Sequence, residues 1–523
     1  MNDGGDKGNV ALHCACSEEL LLYCESESLS VEGLREIFER HGWTPNNTQH
    51  ISADYEFFCA ACRNEIVNEE IIRCLLEYFP DAAGTVVGDK GSVALHCACK
   101  NKNVTPGIIR ILIDATSTSV RCEDNDGWTP LHYLCNNENL DETVSLQILK
   151  LLIEKCPEAV RHANRTGGSL PIHLASRGKS PEYCRVLIEA YPQTEQIPNN
   201  GGALLLHLAC LHNTVHTVEY LYRLYPDAID HETPERFYPI HCAIYSTMNR
   251  DCPAAAVDIV QFLLDCDPNV KLQLRYDLSL LYYACNKEYN DSSIDAGIQI
   301  IEVIFDSRPL AIEDFRIRED IELFHHQVQA FINGELVYAR QARDLRLMNT
   351  PDDNGQLPLH TALQNNVRLG SIKLLVEGNP SAFRNVDINF AMPLHIACEH
   401  HDSAAVVQYV LNLDTRTLRA VDIDNNTALH YACRGAKHDS IALLLETYDA
   451  ASVSKTNTDG KLPIEVLWES NEVNDRESVE YMGSVFQLLR AYPELLAISN
   501  WTEKQSVDVD AARHGKKRKS SSV

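Results

Sequence analysis

The sequence has no long run of apolar residues and no basic, apolar start. No stretch approaches the roughly 18 apolar residues that a membrane-spanning helix needs, and residues 1–6 do not resemble a secretory signal. We therefore expect a soluble protein of the cytoplasm, the nucleus or both, with no membrane partner. The 19 cysteines are odd in number and scattered, so we expect reduced thiols rather than a disulfide framework.

The chain is also short of positive charge. It has 46 Lys and Arg against 74 Asp and Glu, which gives a net charge of -28 at pH 7. Such a body repels a phosphate backbone, so nucleic-acid binding is not expected. The partner that this charge favours is a protein with a basic surface.

At 523 residues the chain is too long for one ordinary domain.

Signatures of catalysis are absent as well. No GxSxG, HExxH, P-loop or kinase motif occurs, so we expect a non-catalytic protein without cofactor or small-molecule substrate. His-Cys-Ala-Cys runs begin at His13 and His96, but adjacent helix positions point about 100° apart and do not converge on one zinc ion. A Cys/His metal-binding or redox protein remains the rival interpretation. Acidic stretches such as 352–355 lack the bidentate Glu of a calcium loop and are predicted to be turns.

What the sequence does contain is a short box that recurs along nearly its whole length. The box is a small residue or Pro, then Leu or Ile, then His, any residue, Ala and often Cys, and adjacent boxes are mostly 34 to 41 residues apart. The histidine of the box falls at nine positions: His13, His96, His132, His173, His207, His241, His360, His395 and His430. Cys59, Tyr282 and Glu465 take its place in three further units. Residues 323–325 predict a degenerate unit in which His325 takes the histidine position of the box, called the slot below.

Each box is followed by a stretch with large apolar side chains spaced i, i+3, i+4, which predicts a second helix. A Pro such as Pro192 or Pro226 usually ends this helix, because Pro lacks a backbone N–H and has a fixed φ. The distance from this Pro to the next slot is 14 to 16 residues, whereas the distance from slot to Pro ranges from 19 at His173 to 28 at Glu465. Insertions are therefore predicted between the two helices of a unit.

Two segments, GWTPLHYLC at 127–135 and NTALHYAC at 426–433, resemble the ankyrin repeat. The resemblance covers essentially residues 5–500 and implies an all-α repeat solenoid. Its helix-loop-helix units would be joined by short hairpin-like connectors. It also implies a scaffold or adaptor that binds a protein through a concave surface of hairpin tips and first helices. In that family the box His and Thr share hydrogen bonds. Here an apolar residue often replaces the Thr, so we expect most units to cap differently.

The period divides the chain into five parts. We expect a partial repeat with an atypical helical cap over 1–56, ankyrin-like repeats over 57–305, a degenerate repeat or insertion over 306–350, further repeats over 351–500, and a disordered basic tail over 501–523. A helix is predicted from Val31 within the cap. Terminal units of a solenoid are atypical because they cap the stack.

The basic tail carries Lys516, Lys517, Arg518 and Lys519 in succession. This run matches a nuclear localisation signal, and it is equally compatible with a solvated chain end. The alternative function is therefore a nuclear regulatory adaptor.

Candidates for partner contact are the non-repeated side chains at hairpin tips and early helix positions. They are Trp128, Tyr133, Glu235, Arg236, Phe237, Phe390, Asn426 and Tyr431. Trp128 and Tyr133 are the first choices because aromatic residues dominate interface hot spots. A packed structural role is the alternative for both.

Overall fold

The computed structural model describes residues 17–45, 55–267, 279–447, 453–470, 478–491 and 493. In these ranges helices alternate with turns, and an isolated β bridge joins Val87 to Ser92. The chain divides into two compact units, 1–300 and 301–523. Pairs of helices recur with the period of the box, which confirms the predicted all-α repeat solenoid. His13 and the tail from Lys516 to Lys519 lie outside the described residues.

The first unit opens with helix α1 over residues 17–25 and α2, Val31–Arg40, the helix predicted from Val31. The first helices of its repeats are α3 Glu56–Arg63, α5 Ala94–Lys100, α7 Pro130–Cys135, α9 Pro171–Gly178, α11 Leu205–His212, α13 Pro239–Ser246 and α15 Leu280–Cys285. The second helices are α4 Glu69–Tyr78, α6 Pro106–Ala115, α8 Glu142–Lys155, α10 Pro181–Ala190, α12 Val215–Leu224, α14 Ala254–Cys266 and α16 Ile294–Ser307, whose residues from 301 onwards belong to the second unit.

The second unit begins with three helices that depart from the repeat pattern: α17 Phe315–Glu319, α18 His326–Arg343 and α19 Leu345–Asn349. The first helices that follow are α20 Pro358–Gln364, α22 Pro393–His400, α24 Ala428–Arg434 and α26 Pro463–Ser470. Their second helices are α21 Leu369–Gly378, α23 Ala404–Leu413, α25 His438–Thr447 and α27 Val479–Ala491.

Small side chains let neighbouring first helices pack against each other. The Ala two residues after the box histidine is fully buried in most repeats, as at Ala175, Ala209 and Ala432. The Cys one residue further is buried as well, and burial raises the pKa of the Cys135 thiol to about 12. These cysteines therefore fill space between helices as neutral, weakly polar side chains.

Insertions lie between the helices, as predicted, and also within the second helix. Residues 247–253 separate α13 from α14, whereas only residues 179–180 separate α9 from α10. The second helix α8 has 14 residues and α14 has 13, whereas α10 and α12 have 10 each. A helix whose apolar periodicity continues adds a turn without disturbing its neighbours. The Pro after the second helix acts as predicted, since Pro157 and Pro226 each begin a 3₁₀ turn just beyond the helix end.

The prediction for His325 was wrong. His325 precedes the 18-residue helix α18 as its N-cap, and its Nδ1 accepts a hydrogen bond from the backbone N–H of Gln327 at 3.4 Å. Helix α18 packs against the second helix α21, so it occupies a second-helix position. Its 18 residues also exceed the 6 to 8 residues of the first helices named above.

Candidate partner-binding surface

The box histidines connect each repeat to the next through backbone groups. Nδ1 of His173 accepts a hydrogen bond from the backbone N–H of Leu170 at 3.0 Å, and Nε2 lies 3.0 Å from the carbonyl oxygen of Ile197. Because Nδ1 is an acceptor, Nε2 carries the proton and donates to that carbonyl. The same two kinds of bond are made by His96, His132, His207, His360, His395 and His430.

This network corrects the expectation that most units cap differently. The donor to Nδ1 is a backbone N–H, so Leu170 or Met392 serves as well as Thr. The Thr hydroxyl adds a contact of 2.8 Å to Nδ1 at Thr129 and Thr427. For His241, Nδ1 is bonded in the usual way, and the described residues hold no acceptor for Nε2.

Where His is replaced, another group takes over part of its role. The carboxylate of Glu465 accepts the backbone N–H of Leu462 at 2.7 Å, which caps the first turn of α26. At Tyr282 the cap comes from Ser279, whose hydroxyl accepts the backbone N–H of Tyr282. Carboxylate and hydroxyl oxygens are good acceptors for the free N–H groups of a helix start.

Burial keeps the box histidines neutral. It lowers the pKa of His132, His173, His207 and His395 to about 4 and that of His241 to about 3. Removal of the imidazolium from water is the main cause. At neutral pH these side chains therefore act as hydrogen-bonding connectors between repeats.

A second network of buried asparagines, which the sequence analysis missed, connects the far ends of the first helices. Nδ2 of Asn101 donates to the carbonyls of Cys62 and Asn64 at 3.0 and 2.8 Å. Nδ2 of Asn137 donates in the same way to Cys99 and Asn101. Asn recurs five residues after the slot in these repeats, and that spacing was the available signal. Both ends of a first helix are thus fixed to neighbouring repeats.

The acidic tip before Trp128 is a turn, as predicted. Oδ1 of Asp124 accepts the backbone N–H groups of Asp126 and Trp128 at 3.0 and 2.7 Å. Gly127 has φ +75°, and a Cβ there would lie 2.7 Å from the backbone nitrogen of Arg165. Glycine is therefore required at this turn.

Trp128 and Tyr133 come together beside a groove in the first unit. Their ring centroids are 5.1 Å apart, and the Tyr133 hydroxyl donates to Oδ2 of Asp124 at 2.7 Å. Both side chains are partly exposed. They line an open groove of about 630 Å³ together with three cations, Lys90, Lys100 and Arg177, and two carboxylates, Asp126 and Glu138. Their contact with a partner stays a prediction.

Two other predicted candidates are buried and need correction. Asn426 is 7% exposed and Tyr431 is 5% exposed. Nδ2 of Asn426 and the Tyr431 hydroxyl both donate to Oδ2 of Asp422, at 3.0 and 2.8 Å. The Arg434 guanidinium lies 4.2 Å from the centre of the Tyr431 ring. These side chains support the hairpin and offer a partner almost no surface.

The remaining candidates lie at hairpin tips. Glu235 and Arg236 are exposed and Phe237 is half-buried. Phe390 is exposed in the second unit, with φ +59°. Two exposed tip residues of that unit, Ile388 and Ile423, were missed because the box does not include the tip.

The described ranges hold neither a candidate metal cluster nor a candidate membrane-spanning helix. No three His, Cys, Asp or Glu side chains there are grouped so that they could hold a metal ion. No helix in the same ranges is long and apolar enough to cross a membrane.

Comparison with known proteins identifies the repeat. The family model for ankyrin repeats matches in three copies, over residues 57–146, 95–197 and 359–459. The chain is therefore an ankyrin-repeat protein, as the box predicted, and this is the architecture of a protein-interaction scaffold.

Three curated relatives share part of the chain, and all are SMC5-SMC6 complex localization factor protein 1. The Bos taurus protein is 35% identical over 118 residues, which is 22% of this chain and 10% of the relative. The Homo sapiens protein is 35% identical over 117 residues, 22% of this chain and 9% of the relative. The Mus musculus protein is 35% identical over 69 residues, which is 13% of this chain and 6% of the relative. The chain thus spans a tenth or less of these relatives.

Proposed function

We propose that the chain is a non-catalytic adaptor that binds a protein partner through the hairpin tips and first helices of its repeats. The observation that supports this most is the pair Trp128 and Tyr133 in the lining of the groove in the first unit. The histidine and asparagine networks hold the groove's framework in place before a partner arrives, so little ordering entropy is lost on binding. The name of these relatives, a localization factor of a complex, fits an adaptor.

The net charge suggests the chemistry of the partner. A chain of charge -28 attracts a basic surface and accelerates its encounter at low salt. We therefore propose a protein partner with a basic surface, and association that slows as salt rises.

Partner capture tests this proposal. The immobilised full-length chain is incubated with cell extract at low and high salt, alongside Trp128→Ala and the control Phe486→Ala. Phe486 is an exposed aromatic residue of the second helix α27, away from tips and first helices. We expect recovery to fall at high salt and to fall about tenfold with Trp128→Ala, because a central aromatic carries much of the binding free energy. Recovery unchanged by both salt and Trp128→Ala would overturn the proposal.

The tail motivates a second candidate, a nuclear adaptor. The run Lys516, Lys517, Arg518 and Lys519 supports it. A fluorescent reporter fused to residues 505–523 should accumulate in the nucleus, and the same reporter with these four residues changed to Ala should not. A wild-type fusion that stays cytoplasmic removes the support for nuclear targeting while leaving the adaptor proposal unaffected.

A further inference from the structure

We infer that the hairpin tips of the second unit form a docking site for a short extended protein segment that carries apolar side chains flanked by Lys or Arg. This inference rests on the proposed function and gives the partner chemistry of one part of the surface. The site, called the tip surface below, consists of Asp353, Ile388, Phe390, Ile423 and Asp424.

The tips form a continuous row. The backbone N–H of Ile388 donates to the carbonyl of Asn354 at 3.0 Å, and that of Ile423 donates to Asn389 at 2.8 Å. The row continues with a bond of 2.8 Å from Thr458 to Asp424. Each tip is thus held beside the next by a backbone hydrogen bond, and side chains of successive tips share one surface.

The apolar side chains on this row are exposed. Ile388 is 60% exposed, Phe390 56% and Ile423 59%. The positions in the first unit that correspond to Ile388 and Ile423 carry Asn125, Arg165 and Asn200. Stacking of the repeats therefore does not require an apolar residue there. Adjacent exposed apolar side chains mark an interaction site.

Phe390 also has an unfavourable backbone conformation. Its φ of +59° lies in the left-handed region, where the corresponding residues Gly127 and Gly355 have φ of +75° and +72°. A bulky residue in this region is strained. Because more than half of the residue is exposed, packing inside the protein compensates little for this strain. Binding of a partner would explain why Phe occupies the position.

The charge of the tip surface determines which kind of protein segment can bind there. Asp353 and Asp424 flank the apolar side chains and are exposed. Neither makes an ion pair with another described residue. Apolar groups between free carboxylates complement a segment whose apolar residues alternate with cations. An acidic segment would meet repulsion from the same carboxylates.

The test uses three fluorescent synthetic peptides of equal length and the full-length chain. One peptide alternates Leu with Arg, one alternates Leu with Glu, and one alternates Ser with Arg. Fluorescence anisotropy should show the Leu/Arg peptide binding at least about tenfold more tightly than the other two. Phe390→Gly should weaken Leu/Arg binding about tenfold while the Tm stays equal or rises, because glycine relieves the strained φ.

Arg236→Gly is the matched control, since Arg236 has φ +65° at a tip of the first unit. This variant relaxes the same backbone conformation and leaves the tip surface intact, so Leu/Arg binding should not weaken. Asp424→Asn should reduce Leu/Arg binding and its dependence on salt.

Three results overturn the inference: no binding by the wild-type chain, equal binding of the Leu/Arg and Ser/Arg peptides, or undiminished binding by Phe390→Gly. If Trp128-dependent partner capture persists in any of these cases, the proposed function stands and only the docking site is lost. If capture is also independent of Trp128 and salt, both proposals fall.

Discussion

Mild acid should destabilise this protein through its buried histidines. The pKa of His173 is lowered from 6.5 to about 4 by burial. An unfolded chain therefore binds a proton at this site over a pH range in which the folded chain does not. The contribution of His173 to stability is fully present above the unfolded value and is lost as pH falls from about 6.5 towards about 4.

The size of the effect follows from the two pKa values. At about pH 5.5 the preferential protonation of the unfolded state lowers the free energy of unfolding by about 1.4 kcal/mol for one such histidine. His132, His207 and His395 have the same pKa of about 4 and add to the loss. Asp and Glu titrate mostly below this range in unfolded chains, so the loss between about pH 6.5 and pH 5 reports on histidine.

The assay is urea unfolding followed by circular dichroism at about pH 7.5 and about pH 5.5. His173→Gln removes the titrating group, so its free energy of unfolding should fall by about 1.4 kcal/mol less than that of the wild type between the two pH values. His216→Gln is the control, because His216 is an exposed residue of α12, and it should behave as the wild type does. If His173→Gln loses as much stability as the wild type on acidification, the reasoning is refuted.

Three further results are expected. Asn137→Ala should lower the free energy of unfolding by about 2 kcal/mol in urea titrations, because two buried carbonyls lose their donor; a change below about 0.5 kcal/mol would contradict the asparagine network. Gly355→Ala should destabilise by at least about 1 kcal/mol, since a Cβ would lie 3.1 Å from the Ile388 nitrogen at a φ of +72°, and an unchanged Tm would show that the tip relaxes freely. Elemental analysis of purified protein should find no stoichiometric zinc, and one zinc per chain would favour the rival metal-binding interpretation.

Much of the fold could be predicted from the sequence because a repeat makes mostly local and nearest-neighbour contacts. The box places His173, Ala175 and the corresponding residues at the same buried positions in successive units. The segment around His325 could not be assigned in this way. Its three-residue match carried no information about the helix that follows, and α18 extends far beyond the length of a first helix.

The site was predictable only in part, because exposure depends on the neighbouring side chains. Tyr133 and Tyr431 occupy the same position of the box, and both donate to an Asp of the preceding turn. Arg434 covers the ring of Tyr431, whereas the corresponding position beside Tyr133 is Asn136. Tyr133 is consequently partly exposed, whereas Tyr431 is buried.

The sequence by itself determined the period, the paired helices and the buried histidines, since these depend on spacing and polarity along the chain. Only the tertiary structure decided that backbone N–H groups, and not Thr hydroxyls, pair with the histidines in nearly every repeat. It also decided which tips present Ile388, Phe390 and Ile423 to solvent. A side chain becomes surface or core only when the adjacent repeat is stacked against it, and that neighbour lies some 35 residues away in the chain.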